Sequence, residues 1–74
     1  MVIHKHSITL RGHRTSFSLE NPFMDELRMI ADERDLALAA LITEIDEVRD
    51  PKANLSSALR LYVLNWLKAK ARQA

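Results

Sequence analysis

Three histidines, His4, His6 and His13, share the first fourteen residues with Lys5, Arg11 and Arg14. Two chemistries use such a set. Imidazoles two apart on an extended chain fall on one face, as ligands of a single metal ion would. A metal site also needs further donors, and the chain has no cysteine and no carboxylate near these histidines. No metal and no cofactor are expected. The other chemistry is anion binding. Residues 1–19 carry Lys5, Arg11 and Arg14 and no acid, a local charge of +3 suited to phosphates.

The charge then reverses twice. Residues 20–50 hold ten acids against Arg28, Arg34 and Arg49, giving −7. Residues 51–74 hold Lys52, Arg60, Lys68, Lys70 and Arg72 without an acid, giving +5. The overall charge of +1 hides this basic–acidic–basic order, which points to an electrostatic face.

Other reactive types have plainer readings. Ser16 and Ser18 lack the glycine-rich elbow that exposes a catalytic serine. The pairs Asp25/Glu26 and Asp46/Glu47 read as solvent-facing helix surface. Tyr62 and Trp66, four apart among leucines, read as packing rather than base stacking. A chain of 74 residues also leaves little room for a substrate pocket, so no enzyme is expected.

The elements that position these residues follow from periodicity. Thr15, Phe17 and Leu19 alternate with Arg14, Ser16, Ser18 and Glu20, the period-two pattern of a half-buried strand. Upstream, Ser7-Ile8-Thr9-Leu10 reads as a second extended piece, with Gly12, the only glycine, between the two. An intrachain hairpin and an arm pairing with another chain both fit. Asn21-Pro22 reads as a helix start with Asn21 as the cap, and Phe23, Leu27, Ile30 and Ala31 form its apolar stripe. This helix should run to about Arg34.

Leu38, Leu41, Ile42, Ile45 and Val48 mark a second helix, ended near Pro51 because proline cannot continue it. Asn54 can cap a third, Leu55 to about Arg72. Its inner stripe is expected at Leu55, Leu59, Tyr62 and Trp66, with Leu61 and Leu64 on another face. So broad an apolar surface in so short a chain argues for a partner, either a second copy or another protein. There is no secretory signal and no membrane-length apolar run, so a soluble, cytoplasmic protein is expected.

The stretch RTSFSLENPFMDELRMIADERDLALAALITEIDEV resembles the ribbon-helix-helix family of bacterial and phage DNA-binding proteins, which includes the Arc and Met repressors. An alternating strand ends in Leu19. A helix carrying Leu27 and Ile30 follows, then a short turn and a second helix with a Leu41-Ile42 pair. The segments SITLRGHRTSFSLE and NLSSALRLYVLNWL lie outside the minimal fold, so the whole is similar to a bacterial subgroup with an added C-terminal helix.

The resemblance implies a mainly α fold with a short N-terminal β-ribbon, in an intertwined homodimer. It divides the chain into an N-terminal arm or first hairpin strand at 1–13, a ribbon-helix-helix core at 14–50 and a C-terminal helix at 51–74. It implies a transcriptional regulator that inserts an antiparallel ribbon into the major groove. Arg14, Ser16 and Ser18 would face bases. Lys5, Arg11, His13 and the start of the second helix at Ala37 and Leu38 would meet phosphates. Phe17, Leu19, Leu41, Ile42 and Ile45 would form the dimer core. The sequence departs from the family pattern in having two short serines on the reading face, Ala37 at a helix cap usually Ser or Thr, and Asp35 where glycine is frequent. A protein-interaction module or an antitoxin on the same fold is the alternative reading, and a higher oligomer through the third helix is a further one.

Overall fold

The computed structural model describes residues 2–73 as a two-stranded hairpin followed by three helices. Strand β1 spans Ile3–Leu10 and β2 spans His13–Glu20. They pair antiparallel from Leu10↔His13 to Ile3↔Glu20. The two-residue turn has positive φ at both positions, 50° at Arg11 and 81° at Gly12. Two such residues twist the chain in the sense the strands require, which selects this turn for tight hairpins. Glycine takes its place without steric cost and arginine does not. The segment before residue 13 therefore pairs within its own chain.

The pleat gives the hairpin two unlike faces. His6, Ile8 and Leu10 on β1 and Thr15, Phe17 and Leu19 on β2 turn toward the helices. Leu19 is fully buried and the Phe17 ring stacks on His6 with centroids 5.3 Å apart. Lys5, Ser7, Thr9, Arg14, Ser16 and Ser18 occupy the opposite face.

Helix α1 is Asn21–Glu33. Its cap is Glu20 rather than Asn21, with extended backbone (φ −71°, ψ 147°) and no side-chain cap bond. The Glu20 carboxylate is instead bound to Arg60 at 3.0 Å, and Asn21 is already helical and cannot fold back as a cap. The helix ends in a Schellman arrangement. The Leu36 amide donates to the Ala31 carbonyl (2.8 Å) and the Asp35 amide to the Asp32 carbonyl (3.1 Å). This places Asp35 in the left-handed region, φ 57°, where glycine is the usual residue.

Helix α2 covers Leu38–Val48 and α3 covers Leu55–Gln73. Between them Asp50 accepts the Lys52 amide (2.9 Å), and the Asn54 side chain accepts the Ser57 amide (2.8 Å), capping α3.

The core is assembled from every element: Leu10, Phe17 and Leu19 from the hairpin, Met24, Leu27, Ile30 and Ala31 from α1, Leu41, Ile42 and Ile45 from α2, and Leu55, Leu59 and Val63 from α3. All are buried by their own chain. Two sequence expectations shift. Val63 joins the inner stripe of α3, while Tyr62 and Trp66 are only partly buried and stack at 6.3 Å on its flank. Val48, expected on the inner stripe of α2, is 81% exposed. The chain turns extended at Arg49 (φ −69°, ψ 150°), and Val48 lies open to solvent beside Leu61 of α3.

Candidate nucleic-acid interface

The outer face of the hairpin is built by alternation alone. Every second residue of each strand points away from the core; from Lys5 to Thr9 and from Arg14 to Ser18 these residues are hydroxyls or cations, and the open end of the hairpin adds Ile3, 53% exposed, opposite Glu20. The cross-strand pairs are Lys5↔Ser18, Ser7↔Ser16 and Thr9↔Arg14. Lys5 and Arg14 are exposed and make no ion pair among the described residues. The one acid at the margin, Glu20, is tied to Arg60, whose hydrogen bond holds the Glu20 carboxyl below its usual pKa. The face thus shows the solvent two free cations and a row of hydroxyls, with Ile3 at its open end.

The edges of the hairpin differ. Pairs flanking a two-residue turn are hydrogen-bonded pairs, so the amides and carbonyls of Arg14, Ser16 and Ser18 face away from β1. At Ser18 this edge is covered by α3. The Ser18 amide donates to the Ser56 hydroxyl (2.9 Å), and the Arg60 guanidinium donates to the Ser18 carbonyl (3.3 Å). Arg60 also lies 5.9 Å from the centre of the Phe23 ring. Ser18 is consequently half-buried, whereas Arg14 and Ser16 are open.

The residues marked for phosphate contact are spread over separate places. Lys5 is on the outer face and His13 is exposed beside the turn. Arg11 is turned toward α2, with Asp46 at 2.9 Å and Glu47 at 3.4 Å. Asp46 therefore is not a free surface acid. Its side chain is 17% exposed and also receives Arg49 Nε at 2.7 Å. Because Asp46, near the C-terminal end of α2, meets the turn, the start of that helix at Ala37 and Leu38 lies about 13 Å farther along its axis. Ala37 is exposed there with no side-chain cap. His4 and His6 share one face of β1, whereas His13 lies at the turn, four residues along the ladder from the His6–Phe17 pair, and no metal-binding cluster exists among the described residues.

Sequence reasoning missed Ser56, Arg60 and Arg34. Arg34 is bidentate on Glu44, with Nη2 at 3.0 Å, and also donates to the Tyr62 hydroxyl at 3.0 Å. This pairing lowers the Glu44 pKa and raises that of Arg34. A charged residue within the apolar span of α3, Arg60, was the one available signal.

A polar two-stranded ribbon followed by helices linked through a left-handed turn is one architecture, and a family model described as Ribbon-helix-helix domain matches residues 3–67. The chain belongs to the ribbon-helix-helix family. No curated protein and no solved structure matches it. The match includes β1 and most of α3, so both additions to the minimal ribbon-helix-helix unit lie within the family domain. Ribbon-helix-helix domains form a non-enzymatic, DNA-binding family whose members generally bind DNA as dimers. No helix among the described residues is long and apolar enough to cross a membrane.

Proposed function

We propose that this ribbon-helix-helix protein is a bacterial, cytoplasmic transcriptional regulator that binds DNA as a homodimer and presents the outer face of its hairpin to the major groove. The observation that carries the reading is the composition of that face: Lys5, Ser7, Thr9, Arg14, Ser16 and Ser18, with its one marginal acid neutralised by Arg60. The major groove admits a two-stranded ribbon, and cations on such a ribbon attract the phosphates along it. Arg14 is the strongest base reader, because a guanidinium can bond twice to guanine. Ser16 and Ser18 discriminate less, and Ser18 is held back by α3. Lys5, Arg11, His13 and the first amides of α2 at Ala37 and Leu38 are the phosphate contacts in this reading.

The homodimer draws on the apolar side chains that one chain leaves open on its helices. Met29, Val48, Leu61, Leu64 and Leu67 are all exposed, Leu61 by 57%. The same residues support the second reading, in which a different protein docks on the helices and DNA binding is weak.

A salt titration of binding to random and genomic duplexes separates the two. The regulator reading expects affinity to fall steeply with salt. Arg14→Ala should weaken binding to all duplexes and reduce the salt slope by about one. Salt-insensitive binding, or none at low salt, would reject it.

A further inference from the structure

At the tip of the hairpin a cleft of about 480 Å³ opens toward the C-terminal end of α2. Arg11, His13, Arg14, Asp46 and Arg49 line it. The Asp46 carboxylate joins two guanidiniums: its Oδ2 accepts from Arg11 Nη2 (2.9 Å) and its Oδ1 from Arg49 Nε (2.7 Å). Arg49 Nη1 is fixed in turn on the Ala53 carbonyl (2.6 Å). The two arginines are therefore held in place before any ligand arrives, with N–H groups remaining beyond those the carboxylate uses. Arg14 and His13 make no side-chain hydrogen bond among the described residues. Three guanidiniums face Asp46 and the nearby Glu47, so the cleft keeps an excess of positive charge.

Guanidinium forks match the oxygens of phosphate, and a concave wall strengthens the attraction by limiting water. We propose that this cleft is a phosphate-binding site that receives a backbone phosphodiester of DNA lying beside the ribbon. Arg14 and His13 bind the oxygens directly. Arg49 contributes its free N–H edge beside Arg11, and Asp46 is the positioning residue that aims both. The identity of the ligand rests on the DNA-binding reading, whereas the phosphate chemistry rests on the cleft alone. A free phosphate offers the same oxygens.

The test has two arms on the full chain. In the first, inorganic phosphate is titrated into the ¹⁵N-labelled protein and the arginine Nε–H signals are followed by NMR. The site predicts saturable shifts at Arg11, Arg14 and Arg49, with Arg28 and Arg72 unmoved. Arg14→Gln and Arg49→Gln should each weaken phosphate binding several-fold. Arg14→Gln removes an exposed side chain that supports no fold contact, so it guards against loss of folding in the other variant. Equal shifts at every arginine, or none, would overturn the site.

In the second arm, a random-sequence duplex replaces phosphate, and Arg49→Gln, at a residue the ribbon reading does not use, should reduce the salt slope by about one. An unchanged slope for Arg49→Gln with duplex binding intact would overturn the cleft as a DNA contact and leave the ribbon reading standing. Saturable phosphate binding with no duplex binding at any salt would overturn DNA as the source and leave the cleft an anion site.

Discussion

The outer face of the hairpin and the outer face of α3 are both exposed, and they carry opposite side chains. The hairpin shows hydroxyls and cations outward from Lys5 to Thr9 and from Arg14 to Ser18, while α3 shows Leu61, Leu64 and Leu67, flanked by Met29 of α1 and Val48 of α2. Between them lies a core that one chain closes by itself, with Leu19, Leu27, Leu41, Ile42 and Leu59 inaccessible to solvent. The contrast separates two kinds of partner. A hydroxyl-and-cation surface is already well solvated and gains from a polyanion mainly by releasing counterions. An apolar ridge gains only when another apolar surface excludes water from it.

The comparison breaks first in the core that both faces share. Phe17→Ala should cost about 3–5 kcal/mol, because its ring is buried between the hairpin and the helices. Equilibrium denaturation measures this, and a variant melting near the parent would contradict the packing. Next is the apolar face. Leu61→Asp with Leu64→Asp should leave the monomer fold intact and lower the assembled mass in sedimentation, as both side chains are largely exposed. An unchanged dimer would move the interface elsewhere on the molecule.

A smaller effect is expected at the link between α1 and α2. Asp35→Gly should stabilise the protein by up to about 1 kcal/mol, since glycine adopts φ 57° without the steric cost borne by aspartate. Calorimetry would show a slightly raised Tm. A lowered Tm would mean the Asp35 side chain contributes more than its backbone strain removes.

The smallest effect is electrostatic. Glu20 and Glu44 both have folded-state pKa values below their usual ones, through Arg60 and Arg34 respectively. The sign follows from linkage: their contribution is present above the ordinary carboxylate pKa and is lost as pH falls through the lowered folded value. Glu20→Gln should therefore lower stability at neutral and alkaline pH, change little once pH falls below the lowered folded value, and so remove part of the acid-side loss. An equal loss of stability at every pH would assign the Glu20–Arg60 contact a packing role instead.

Much of this was legible in the sequence where a single period governs the side chain. Alternation over residues 13–20 assigned Phe17 and Leu19 to the core and Arg14 and Ser16 to solvent, as the structure has them. The departure from glycine at Asp35 marked a residue that indeed takes a left-handed backbone. What escaped depended on contacts distant in sequence. The cap position falls on Glu20, whose side chain makes no cap bond and is held by an arginine forty residues later. Asp46 looked like surface because its partner Arg11 lies thirty-five residues earlier. Val48 obeys the helical period of α2, but periodicity does not reveal that its own chain leaves it 81% exposed. Which residues would touch DNA follows the same division. The outward alternation of β2 is local, whereas the cleft beneath the turn exists only once α2 docks against the hairpin tip.

The two-residue turn at Arg11 and Gly12 also bears on time and concentration. A ribbon whose strands come from one chain closes by a local step, and hairpins of this kind form in about 1–10 μs. Its formation is first order in protein, with no encounter between molecules required. Dilution can then dissociate an assembly built on α3 without unpairing the ribbon, so the surface carrying Lys5 and Arg14 persists at copy numbers where two chains seldom meet.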